Sequence, residues 1–161
     1  MATYLIWKNN VISMVRGDTL DIKLTIVEND NQGLVGYINK NFEELVEPES
    51  SENPVSIVGK IYHLEAGDKV YFGLMKPNDS FEKSVIVKYI EKIDLEESEL
   101  DYHGIYEDAS GNLHIRLDRR DTELLYPGDY YYTVKVERFD ETINDETIET
   151  VVYKNKFLLI D

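Results

Sequence analysis

The sequence predicts an all-β protein, a two-sheet antiparallel sandwich built from 161 residues as a single domain. Three observations carry that expectation. Short stretches in which apolar and polar residues alternate recur along the chain, as they do in strands with one buried and one wetted face. Clusters of Gly, Pro, Asn and Asp separate them at spacings typical of a sandwich. Helical signal is slight, and its clearest piece is about one turn just before the clearest strand.

The strands follow in order. Val11 to Val15 reads as a short strand, and Arg16-Gly17-Asp18 as the turn after it. The same triplet spells an integrin-binding tripeptide, but three residues recur by chance and a turn explains them. From Thr19 to Val27 the alternation is nearly strict, with Leu20, Ile22, Leu24 and Ile26 inward and Asp21, Lys23 and Thr25 outward. A weaker strand lies in Val55–Tyr62. Lys69 to Lys76 follows, with Val70, Phe72 and Leu74 inward, and Pro77-Asn78-Asp79-Ser80 breaks it. Ser84 to Ile93 is apolar on both faces, which predicts a central strand or a second contact surface. Glu96 to Asp101 reads as an acidic loop or short helix, and Asp108 to Asn112 as a turn. Leu113, Ile115 and Leu117 alternate inward with His114 and Arg116 outward.

The clearest stretch runs from Asp118 to Val136. Asp118 or Asp121 caps a single helical turn. Pro127-Gly128 then reverses the chain, because proline presets φ and glycine accepts a positive one. Beyond it Tyr130, Tyr132, Val134 and Val136 share one face, and Tyr131, Thr133, Lys135 and Glu137 the other. After a polar connection, Asp140 to Asp145, a last strand lies within Thr147–Ile160.

Residues 28 to about 60 read as one long insertion in this pattern. An apolar patch, Leu34, Val35, Tyr37 and Ile38, is followed by Phe42, Leu45 and Val46, and then by an acidic, Ser-containing stretch up to Pro54. A hairpin or short helix closed by a mobile loop fits this composition. Its apolar residues serve either to dock a partner or to cover an edge of the sandwich.

Composition bounds the chemistry. The chain has no cysteine, so disulfides, thiolate metal sites and cysteine nucleophiles are excluded. No apolar run approaches the roughly 20 residues of a membrane-spanning helix. The first eight residues lack the features of a signal peptide, so a product made in the cytosol is expected. Against 17 Lys and Arg stand 32 Asp and Glu, a formal charge of −15, which disfavours nucleic acid and membranes; it reads first as a well-solvated surface, and in a sharper reading as complementary to one basic partner. The three histidines, His63, His103 and His114, lack the spacing of a zinc pair, and His114 reads as a solvent-facing strand residue. Carboxylates are too plentiful for any pair to stand out. The acidic run lacks an EF-hand pattern, and no nucleophile elbow, phosphate-binding or dinucleotide-binding motif occurs. No enzyme activity, metal or cofactor is expected. Of 12 tyrosines, most are expected in the core and at its edges. Tyr71 and Tyr131 point away from the apolar face, and with Leu34, Tyr37 and Phe42 they are the candidate partner contacts.

Three stretches read together carry a resemblance: Met14-Val15-Arg16-Gly17-Asp18-Thr19-Leu20, Leu64 through Phe72 around Ala66-Gly67-Asp68, and Leu117-Asp118 through Asp121-Thr122, Leu125, Pro127-Gly128 and Tyr130-Tyr131-Tyr132. In this order the chain resembles the N-terminal domain of phage upper baseplate proteins, of tailed phages and prophages of Gram-positive bacteria. The resemblance covers most of the chain outside residues 28 to 60. It implies an immunoglobulin-like sandwich that fixes a host-recognition organelle to the tail. The chain reaches Asp161 where that domain closes, so no receptor-carrying stalk is expected, and the family's receptor-facing role is not carried over. Gly17, Gly67 and Gly128, each before an Asp, read as turn glycines that define the frame.

The expected function is therefore that of a structural protein of a phage tail, baseplate or tail-like particle. It would be an adaptor or peripheral subunit binding other tail or baseplate proteins, multi-copy in a virion or particle assembled in the bacterial cytoplasm. The other reading is a carbohydrate-binding sandwich module using exposed tyrosines; a small hydrolase ranks far behind.

Overall fold

The computed structural model describes residues 2–7, 11–29, 33–39, 54–92 and 101–161. Within them two six-stranded sheets face each other. In the first sheet, β1 (Ala2–Trp7) pairs with β5 (Pro54–Ile61), which joins the far end of β3 (Leu20–Asn29). β3 also pairs with β4 (Gly33–Asn39) and with β10 (Leu113–Leu117), and β10 pairs with β9 (Ile105–Glu107). The second sheet runs β2 (Ile12–Val15), β12 (Asp145–Ile160), β11 (Gly128–Asp140), β6 (Lys69–Met75), β7 (Ile86–Glu91) and β8 (Asp101–His103). The fold is an all-β sandwich, as expected. Its ladders are antiparallel except β2 on β12, which is parallel.

Alternation becomes the core directly. Ile22, Leu24, Val70, Phe72, Leu113, Ile115, Leu117, Tyr130, Tyr132 and Val134 are all buried, and Leu20 packs at the rim. Phe72 and Tyr132 stack across the β6–β11 ladder with ring centroids 5.7 Å apart. Each such side chain contributes roughly 1.5–3 kcal/mol by leaving water. The strand with apolar residues on both faces, β7, buries Ile86 and Ile90 against this core and leaves Val85 and Val87 exposed.

The helical turn is α1 (Arg119–Thr122), with Asp118 as its N-cap residue. The Asp121 carboxylate reaches back to accept the Asp118 N–H at 2.7 Å and also holds Lys88 Nζ at 2.9 Å. Gly17, Gly67 and Gly128 have φ of 84°, 93° and 145°, a region that strains any residue with a Cβ.

The first part of the long insertion belongs to the sandwich. β4 folds back on β3 as a hairpin, Leu34 is buried in the core, and Gly36 lies on Val151 and Val152 of β12. Residues 33–39 therefore cover a sandwich edge. Most of the remainder, including Phe42, Leu45 and Val46, lies outside the described residues, as does most of the acidic run before Asp101.

Candidate functional site

Of the five candidate contact residues, the four that are described do not converge on one site. Leu34 is 5 % exposed, so the core and not a partner occupies its side chain. Its backbone N–H donates to Glu149 Oε2 at 2.9 Å, tying β4 to β12. Tyr37 is half-buried on β4 opposite Thr25, and burial pushes its phenol pKa up. Phe42 lies outside the described residues.

Tyr71 and Tyr131 share the outer face of the second sheet, both half-buried. Between them Phe81, from the 3-10 turn Phe81–Lys83, lies on Gly73 under Lys135, whose Nζ is 4.6 Å from the ring centre. Tyr71 donates to Glu137 Oε2 at 3.3 Å. Burial, then the Glu137 charge, raises its pKa. Its ring sits 6.3 Å from that of Tyr89, which stacks on His103 at 4.2 Å. These rings spend much of their faces on one another.

One residue is corrected outright. His114, expected to face solvent, is 3 % exposed. It does sit on the outer face of β10, but Tyr106 from β9 stacks on it at 4.9 Å and shields it. Its Nε2–H donates to Asp108 Oδ2 at 2.7 Å, and its Nδ1 lies 3.4 Å from Asp21 Oδ1. Tyr106 Oη donates to the other Asp21 oxygen. Asp108 also accepts the Ser110 and Asn112 N–H groups at 2.9 and 3.0 Å, which shapes the expected turn. Burial works against the Asp108 charge, but His114 and these two N–H groups outweigh it, and its pKa falls to about 2. The cluster ties β3, β9, β10 and the turn together.

One concave feature of the described residues has no counterpart in the sequence reading. An open, polar cleft of about 430 Å³ lies at the end of the sandwich where β6 begins. Arg138 of β11 forms its centre. Its Nη2 and Nε donate to Glu149 Oε1 at 2.7 and 3.2 Å, and its guanidinium lies over the Tyr62 ring at 5.5 Å. Tyr62 Oη donates to Asp68 Oδ2 at 2.5 Å, and the Glu65 N–H donates to the same oxygen at 2.9 Å. Burial and then the Asp68 bond drive the Tyr62 pKa far upward. Burial opposes the Arg138 charge, but Glu149 more than offsets this and raises its pKa. Every one of these groups is engaged, and the cleft mouth adds Glu28, Lys60, Asp140 and Glu141.

The three sequence stretches behind the resemblance are frame elements. Gly17 N–H donates to Thr122 Oγ1 at 2.9 Å, and Arg16 holds Asp161 at 2.7 Å and reaches the Leu125 carbonyl at 3.5 Å. Asp68 organises the middle stretch and closes the Tyr62–Lys69 loop, with Gly67 N–H on the Lys92 carbonyl. Among the described residues, no group of three or more histidine or acidic side chains is arranged to hold a metal ion, and no helix is long and apolar enough to cross a membrane. Comparison of the chain with protein-family models, with curated proteins and with solved structures found no match in any of the three.

Proposed function

We propose that this chain is a non-enzymatic structural subunit of a phage tail, baseplate or tail-like particle, an adaptor that binds neighbouring particle proteins. The observation that carries the reading is the interlock of the resemblance residues. Arg16-Gly17 and Asp118–Leu125, about a hundred positions apart, meet at one end of the sandwich through Thr122 and the Leu125 carbonyl. They tie two distant stretches into one frame, which suits an assembly subunit. An immunoglobulin-like reading of the sandwich draws support from Tyr130, whose hydroxyl donates to the Tyr126 carbonyl at 2.6 Å at the start of β11. Immunoglobulin domains brace a strand start with a tyrosine in the same way.

Particles induced from the source strain and purified by sedimentation provide the test. The chain is expected in them by mass spectrometry at a fixed ratio to tail proteins, and as density of this shape in a reconstruction. Finding it only in the soluble fraction overturns the reading. Binding to a glycan array that is lost in Tyr71→Ala would instead favour the carbohydrate module.

A further inference from the structure

The β11–β12 hairpin outruns the sheet that carries it. β6 accompanies β11 only to Glu137↔Lys69. Beyond it Arg138↔Thr147, Phe139↔Glu146 and Asp140↔Asp145 pair with each other and with no further strand among the described residues. Strand alternation then divides this arm. Arg138, Asp140, Thr147 and Glu149 line the polar cleft, and Phe139 also touches it. Phe139 and Ile148 share the opposite face and are 55 % and 59 % exposed, and Ile143 at the tip is 61 % exposed. Large apolar side chains grouped on a projecting element mark a contact surface more often than scattered ones do.

The charge around the patch says what kind of contact. Residues 137–149 carry Glu137, Asp140, Glu141, Asp145, Glu146 and Glu149 against a single base, Arg138, which Glu149 already holds. Glu137 and Glu146 are crowded together beside the patch. A hydrogen bond to Glu137, and then repulsion from its charge, raises the Glu146 pKa, while Lys69 lies 3.7 Å from Glu137. Further positive charge brought to this rim relieves that repulsion.

We propose that the arm docks a basic protein surface: an apolar socket on a neighbouring subunit, edged by lysine or arginine, that receives Phe139, Ile143 and Ile148. The proposal rests on the particle reading and names the chemistry of the partner. A second copy of this chain is the poorer occupant, because two acidic rims on chains of charge −15 repel.

The test is a nuclear magnetic resonance titration of the ¹⁵N-labelled full chain with a synthetic peptide of alternating leucine and lysine. The same peptide with acetylated lysines serves as control. Shifts are expected to concentrate in residues 137–149 and to vanish with the acetylated peptide. The double variant Phe139→Ser/Ile148→Ser keeps every charge and should bind at least about tenfold more weakly. Three results overturn the proposal: shifts centred on the Tyr71 and Tyr131 face, unchanged affinity in the double variant, or self-association of the chain that the double variant abolishes. Particle incorporation separates the two proposals. Wild-type chain in particles with the double variant present at the same level overturns the arm alone. Wild-type chain missing from particles overturns the particle reading, and the titration then decides the arm by itself.

Discussion

Between Gly128 and Val136 the β11–β12 hairpin hides Tyr130, Tyr132, Val134 and Val136, whereas from Glu137 to Glu149 the same two strands present Phe139, Ile143 and Ile148 to water. Alternation along β11 is alike in the two halves, although only the first carries register shifts, opposite Tyr132–Lys135. The difference is what lies beside and beneath. The first half has β6 at its flank and the other sheet under it, with β4 crossing at Gly36. The second half loses β6 after Glu137↔Lys69, and β4 reaches it only at Glu149, through the Leu34 N–H. Alternation tells which residues share a face, and only the surroundings decide whether that face is core or contact surface.

The comparison is easiest to break in the buried half. Phe72→Ala removes a side chain that is 0 % exposed and stacked on Tyr132, and should cost roughly 3–5 kcal/mol in urea unfolding. A loss below about 1 kcal/mol would mean the proximal half is not the load carrier the packing indicates. Next in size is the crossing of β4 over β12. A Cβ at Gly36 would stand 2.9 Å from Val151 Cγ2, so Gly36→Ala should cost about 1–3 kcal/mol through overpacking. A neutral result would place the β4 edge farther from β12.

A smaller effect is expected from acid. The Asp108 carboxyl is held at about 2, below its ordinary 3.8. The stability it contributes is therefore fully present above pH 4 and is lost as pH falls through about 2. In Asp108→Asn, thermal melts between about pH 4 and pH 2 (the window set by those two values) should decline less steeply than in the wild type. Parallel curves would show that the turn does not depend on this charge. The smallest effect belongs to the distal half. Phe139→Ser/Ile148→Ser should change unfolding stability by no more than about 0.5 kcal/mol per site, because surface substitutions rarely do more. A larger loss would mean that the arm packs on the body and is no free surface.

Much of the frame was legible in the sequence because alternation maps directly onto burial. Ile22, Leu24, Val70, Phe72 and Tyr132 sit where their spacing put them. His114 was misread for a physical reason: spacing places it on the outer face, but the cover comes from Tyr106 on β9, a strand of three residues too short to show a pattern. Leu34 looked surplus to the core because its strand, β4, follows the strand it pairs with and resembles a patch in a polar loop. The Arg138–Glu149 cleft was hidden by register. β12 carries irregularities opposite Tyr132–Lys135, and these set which of its residues meets β11. The available signals were Arg138 as the lone base in an acidic segment, and Tyr62 and Asp68 flanking the Gly67 turn.

The parallel seam between β2 and β12 has a consequence for how the chain is made. Ile12 finds its sheet neighbour in Phe157, and Arg16 its ion pair in Asp161. On the ribosome, β2 emerges well before β12, and this side of its backbone waits for β12 to be translated before it can pair. Closure of the second sheet is thus a late, non-local event, of the kind that makes β proteins slow to fold. Nascent chains stalled before Asn155 leaves the exit tunnel should stay open to protease, and release should bring protection. Early protection would show that the remaining strands close without the seam.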